Sequence, residues 1–221
     1  MSLVCISSVI GQLDEFSFES IDGLPSSSRP SDILQDSRGF YWFSYEERGQ
    51  GLFVYDGETL DHIPAKAYDS TALPDPNVCF LHELPNGHIL MGTTARGLVE
   101  YDPESGKFEQ IPIPTREGQI RRVNRVLEEH DDLLWLGCVG GLVKYVPSTR
   151  QSEVYKGTFD FEHERFSDPG NRIHALAQDP VDPDVIWLGN IMGLTSFHKS
   201  TGTFEQWVLP YIGIEEVSPC C

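Results

Sequence analysis

The chain has 221 residues, with 34 Asp and Glu against 16 Lys and Arg, and a formal net charge of −18. That surplus excludes a nucleic-acid binder, because phosphate contacts need clustered Lys and Arg, and it disfavours anionic membrane surfaces. A chain of this length builds one good core, and its five cysteines show neither a disulfide framework nor metal-ligand spacing.

Residues 1–13 open on Leu3-Val4-Cys5-Ile6-Ser7-Ser8-Val9-Ile10-Gly11-Gln12. This stretch has the form of the end of a secretory apolar region with its cleavage site, without the basic segment that precedes one. Two readings stand: a signal-peptide remnant behind a start codon placed too late, or a plain apolar arm. Phe16 to Ser20 then reads as a short strand. No other segment approaches the ~18 apolar residues that a membrane span needs.

From about residue 30 one pattern occurs four times. An apolar strand ends near an acid; a turn follows, then Trp-apolar-Gly, then Gly-Leu, then Tyr-Asp. The first copy runs from Ile33 to Asp36, through Trp42 and Gly51-Leu52, to Tyr55-Asp56. The second has Val78 to Leu84, Leu90-Met91-Gly92, Gly97-Leu98 and Tyr101-Asp102. The third has Val123 to Glu129, Trp135-Leu136-Gly137, Gly141-Leu142 and Tyr145. The fourth has Ile173 to Asp179, Trp187-Leu188-Gly189, Gly193-Leu194 and Phe197. A repeat of this period signals stacked supersecondary units.

Each unit reads as four short strands joined by turns rich in Asp, Gly, Ser and Pro. Four antiparallel strands make one propeller blade. The fold class is therefore all-β: a β-propeller over 14–210, with blades at about 30–63, 77–112, 122–155 and 172–207, and a tail at 211–221. Apolar runs such as Val185-Ile186-Trp187-Leu188 predict inner strands packed between blades, which makes the Trp residues core. The strand at Phe16–Ser20 is surplus to four complete blades and predicts an incomplete propeller, with further blades or a second copy as partner; a four-bladed closure is the alternative. An open ring exposes apolar blade faces.

The repeats resemble the two-component regulator propeller family. The stretches that carry the likeness are 35–44, 86–102 and 133–145, with 16–28 similar to the lead-in before that family's first blade. This chain departs from the family pattern at Leu90 for Trp, at Cys138 for Thr and in the Asp179 turn. The resemblance implies a sensor segment of a two-component signalling protein, located in the periplasm or outside the cytoplasm, that binds a glycan or another small ligand. Kinase and receiver domains are absent from this sequence, so no catalysis is expected in it, and no cofactor or metal is implied.

The expected ligand face carries the loops between second and third strands together with the inter-blade linkers 64–76, 112–122 and 156–170. Its candidates are Tyr45, Arg48, the basic cluster Arg121, Arg122 and Arg125, and His174 in an inner-strand slot equivalent to that of Asn124. Guanidinium groups suit capture of an anionic ligand such as an acidic sugar. The competing reading pairs the three arginines with Glu128, Glu129 and Asp131. The linker Phe159 to Phe166 mixes aromatic and polar side chains, as contacts to carbohydrate or protein do. Two other functions compete: a stand-alone protein-binding scaffold, and a propeller enzyme of the streptogramin-lyase type, for which His174 or His163 would serve as the catalytic histidine.

Overall fold

The computed structural model describes residues 21–66, 68–130, 132–158, 169–191 and 193–207. The expectations for 1–13, for the strand at Phe16–Ser20, for the Phe159–Phe166 linker with His163, for Asp131 and for the tail lie outside those residues.

Four sheets of four antiparallel strands follow one another along the chain. Blade one holds β1 (Asp32–Gln35), β2 (Tyr41–Ser44), β3 (Leu52–Tyr55) and β4 (Leu60–Ile63). Blade two holds β5 (Val78–Glu83), β6 (Ile89–Thr93), β7 (Leu98–Asp102) and β8 (Lys107–Ile111). A small hairpin, β9 (Pro114–Thr115) and β10 (Gly118–Gln119), interrupts the stretch expected to be a plain linker. Blade three holds β11 (Val123–His130), β12 (Leu133–Cys138), β13 (Gly141–Val146) and β14 (Gln151–Tyr155). Blade four holds β15 (Ile173–Gln178), β16 (Val185–Asn190), β17 (Gly193–His198) and β18 (Thr203–Trp207). Every sheet pairs its strands in chain order, so each blade is a meander.

The turns follow from their acids. Asp56 Oδ1 accepts the backbone N–H groups of Glu58 and Thr59, and Asp102 does the same for Glu104 and Ser105. Asp132 and Asp184 each cap a serine from a different turn of the same blade, Ser148 and Ser200. These local bonds stabilise a tight reversal against strand continuation. At Gly51 the backbone takes φ 76°, and a Cβ there would stand 2.5 Å from the Ile63 carbonyl oxygen, so only glycine fits.

The core lies between blades. Trp42, Leu52, Leu73, Leu81, Met91 and Val99 fill the junction of blades one and two. Phe80, Leu90, Leu98, Leu134, Leu136 and Val143 fill the junction of two and three. Trp135, Leu142, Ile173, Ile186, Leu188 and Phe197 fill that of three and four. Burial of each such side chain contributes roughly 1.5–3 kcal/mol. A fourth cluster, Phe43, Tyr45 and Phe53 with Ile21 and Leu24, lies on the outer face of blade one. The tryptophans expected in the core divide accordingly: Trp42 and Trp135 are each 2% exposed, whereas Trp187 is only half-buried and Trp207 is 45% exposed. The extensive strand-to-strand packing between blades links consecutive blades.

Candidate functional site

One irregularity recurs at the same place in three blades. The ladder between first and second strands skips a residue at Cys79, at Asn124 and at His174. Each skip is a β-bulge, which leaves one residue out of the pairing and redirects its side chain. The equivalence of Asn124 and His174 was legible in the sequence; the bulge that makes Cys79 their counterpart was not.

The bulges surround one ion pair. The Arg122 guanidinium, just before β11, bonds the Glu46 carboxylate from the loop after β2, so blade three is tied to blade one. Arg122 Nε also donates to Asn124 Oδ1 at 2.7 Å, and Asn124 Nδ2 donates to the Ile173 carbonyl at 2.7 Å, which carries the connection into blade four. Asn124 is buried, while Glu46 and Arg122 stay about a third exposed. Burial lowers the His174 pKa from its ordinary value, and the positive charge of Arg122 lowers it further. The imidazole is therefore neutral at pH 7, with one ring nitrogen to donate and one to accept. Burial pushes the Cys79 thiol up to about 12, and Glu46 adds to the shift, so this sulfur is no nucleophile.

The backbone around this centre is pinned by the linkers. Gly51 N donates to the Pro76 carbonyl, Gly97 N to Arg121, and Gly140 N to Asn171. Buried Asp75 accepts from the backbone N–H groups of Asn77 and Ala95, and Asn77 Oδ1 accepts from Gly49 N. A cavity of about 370 Å³ opens beside Glu46, lined by Ser27 to Ser31 and by Glu47 and Arg48. That volume suits a small ligand.

The candidates from the sequence separate. Arg122 and His174 come together at the mouth. Arg125 lies beside them, but its guanidinium caps the carbonyls of Cys79 and Asn124. Arg121 is exposed, and its carbonyl holds Gly97. Arg48 lines the cavity and donates to the Ser27 carbonyl at 3.0 Å. Tyr45 is corrected: at 2% exposure it packs edge-on against Phe53, and no ligand reaches it. The expected pairing of the arginines with Glu128 and Glu129 is also corrected. Glu128 faces His82, and Glu129 takes the Trp135 indole N–H and Lys199. Glu46, which holds the centre together, was part of the expected loop but was not singled out, because its partner lies 76 residues away.

No family model matches the chain. It is similar to a histidine kinase of Formosa agariphila, 29% identical over 174 residues, a match that takes in 78% of this chain and 12% of the kinase. It is also similar to the extracellular domain of a hybrid two-component system from B. thetaiotaomicron, with TM-score 0.63 and 26% identity over 85% of this chain and 23% of that one. The chain thus spans about an eighth of the kinase and under a quarter of the extracellular domain. Virginiamycin B lyase from Staphylococcus aureus superposes with TM-score 0.57 at 10% identity, which shows a shared propeller-like fold alone. Among the described residues no helix is long and apolar enough to cross a membrane.

Proposed function

We propose that this chain is a ligand-binding segment of an extracytoplasmic sensor in a two-component signalling protein, of the regulator-propeller kind. The observation that carries the reading is the likeness to the extracellular domain of a hybrid two-component system, at 26% identity over most of this chain. The site is the mouth built by Glu46, Arg122, Asn124 and His174, with Arg121, Arg125 and Arg48 around it. The ligand is a small glycan that carries a carboxylate.

Its carboxylate competes with Glu46 for the Arg122 guanidinium. Bidentate guanidinium–carboxylate contacts are short and directional, which suits recognition of one acidic sugar among neutral ones. Neutral His174 supplies a hydroxyl-matching donor and acceptor, while buried Asn124 holds the Arg122 guanidinium in place. Because the Glu46–Arg122 pair joins blade one to blade three, displacing it changes how the blades are strapped together, and that change is the signal. The segment transmits; it does not catalyse.

The test is a thermal-shift screen with uronic-acid oligosaccharides and their neutral counterparts. Acidic oligosaccharides raise the Tm of the native chain, and Arg122→Ala, which lowers the unliganded Tm by breaking the Glu46 and Asn124 contacts, abolishes the rise. A rise that survives Arg122→Ala, or one given equally by the neutral sugars, overturns the site.

A further inference from the structure

The loop that carries Glu46 is fixed along its backbone and free at one side chain. It joins β2 to β3. Tyr45 anchors its start in the core, and the Tyr45 carbonyl accepts the Val78 N–H. Glu46 N donates to Ser31 Oγ, Gly49 N to Asn77 Oδ1 and Gly51 N to the Pro76 carbonyl. With the main chain held at each of these points, a change of partner at Glu46 is a rotation between side-chain rotamers and leaves the loop in place.

The partner that Glu46 has is Arg122. That guanidinium keeps a second hold, because Nε donates to Asn124 Oδ1 and Asn124 is fixed in turn by the Ile173 carbonyl. Arg122 therefore keeps its position when Glu46 leaves it. Both side chains of the pair are about a third exposed, and a pair this open to water is weak enough to exchange.

A second cation stands two residues along the same loop. Arg48 has φ 65°, in the left-handed region that residues other than glycine and asparagine rarely enter. Gly49, at φ 63°, continues the reversal, and Arg48 returns to the lead-in, where its Nη1 donates to the Ser27 carbonyl at 3.0 Å. Arg48 and Glu46 line the same cavity of about 370 Å³. Among the described residues no carboxylate pairs with Arg48, although Glu47 also lines that cavity. An arginine kept at a backbone position that suits glycine points to a use for its guanidinium.

We propose that Glu46 has two positions that regulate the mouth. Without ligand it bonds Arg122 and straps blade one to blade three; when an acidic sugar takes Arg122, Glu46 turns to Arg48 in the cavity beside it. This rests on the reading of the mouth as an acid-sugar site. Arg48 is then a positioning residue that acts through Glu46. A displaced carboxylate left unpaired beside an incoming one would repel it, and Arg48 offsets that charge.

A double-mutant cycle in the ligand-free chain tests the second position, since Arg122→Ala removes the first. Thermal unfolding is compared for Arg48→Ala in the native chain, in Arg122→Ala and in Arg122→Ala/Glu46→Gln. Arg48→Ala is expected to lower the Tm of the Arg122→Ala chain by about twice as much as that of the native chain, and Glu46→Gln removes the excess. Arg122→Gln takes the place of Arg122→Ala if the alanine variant does not fold. Equal losses in all three backgrounds overturn the proposal, and so does an excess that survives Glu46→Gln, which assigns Arg48 to Glu47. Titration with trigalacturonate at 0.15 M salt, where distant charges are screened, reads the same coupling at the mouth. Arg48→Ala weakens binding about threefold in the native chain and leaves it unchanged in Glu46→Gln. Equal weakening in both backgrounds puts Arg48 on the sugar itself and overturns its role as the second partner. The thermal cycle needs no ligand, so the two readings fail separately: a chain that binds no acidic oligosaccharide overturns the acid-sugar site, and an additive cycle overturns the two positions of Glu46.

Discussion

Leu90 follows Leu84 at the interval that separates Trp42 from Asp36 and Trp135 from Glu129. In the two tryptophan blades the indole N–H donates to the acid six residues earlier, at 3.0 Å and 2.6 Å. Blade four does the same with Trp187 and Asp179, across a turn two residues longer. Where the second blade has no indole it has no acid either, and both leucines are buried in the core. A buried carboxylate without a donor costs more than an apolar pair in its place. The two substitutions are thus one change, and each explains the other.

Leu84→Asp by itself buries an unpaired charge and is expected to cost about 3–5 kcal/mol, measured by urea unfolding. Asp36→Ala leaves the Trp42 N–H and the turn donors of Arg38 and Phe40 without an acceptor, with an expected cost of about 1–3 kcal/mol. A double-mutant cycle of Asp36→Ala with Trp42→Phe reads their coupling, expected at about 0.5–3 kcal/mol.

The same acids set the pH range of the fold. Burial alone would raise the Asp36 carboxyl, but bonds from Trp42, Arg38 and Phe40 outweigh it and hold the pKa below its ordinary value. Glu129 is held down in the same way against burial by Trp135 and Lys199. Asp179 is lowered by the Asp182 backbone N–H, then by Trp187 and Val181. A folded-state pKa below the unfolded one gives stability that is complete above the unfolded value and is lost as pH falls through the folded one. The Tm is therefore expected to hold on the acid side down to about pH 5 and to drop below pH 4, the range of ordinary carboxyl groups. Leu84 and Leu90 take no part in this loss.

Gly137→Ala tests whether the Trp-x-Gly glycine serves the blade that follows. A methyl group there meets Ile173 and Leu176 of blade four, and the expected cost is about 1–3 kcal/mol in chemical denaturation. Its backbone is not in the left-handed region, so the loss reports packing rather than strain. Gly189→Ala is expected to cost less, since the added methyl group meets only Ala175, at 3.1 Å.

Cys79 and Cys138 are expected to resist alkylation in the native chain and to react on unfolding. Both are free and buried, burial holds both thiols protonated, and Cys79 is held at about 12. Peptide mapping after iodoacetamide treatment, with and without urea, checks this. Labelling of either residue at native pH 8 would show that the junction of blades two and three opens readily.

The sequence by itself determined the repeat, the four-stranded unit and the places where turns fall, because strand period, Asp–Gly turns and a recurring Trp-x-Gly are local signals. It also named Arg122 and His174 among the candidates of one expected ligand face. Only the tertiary structure decided what those residues touch. Glu46 reaches Arg122 across 76 residues, Arg125 spends its guanidinium on backbone carbonyls, and Tyr45 turns into the core one residue before Glu46 turns to the mouth. Side-chain period along a strand tells in from out, but it cannot say which blade lies opposite. That depends on the curvature accumulated over three junctions, and it leaves Trp42 and Trp135 buried while Trp187, between two aliphatic neighbours as Trp135 is, stays half-buried.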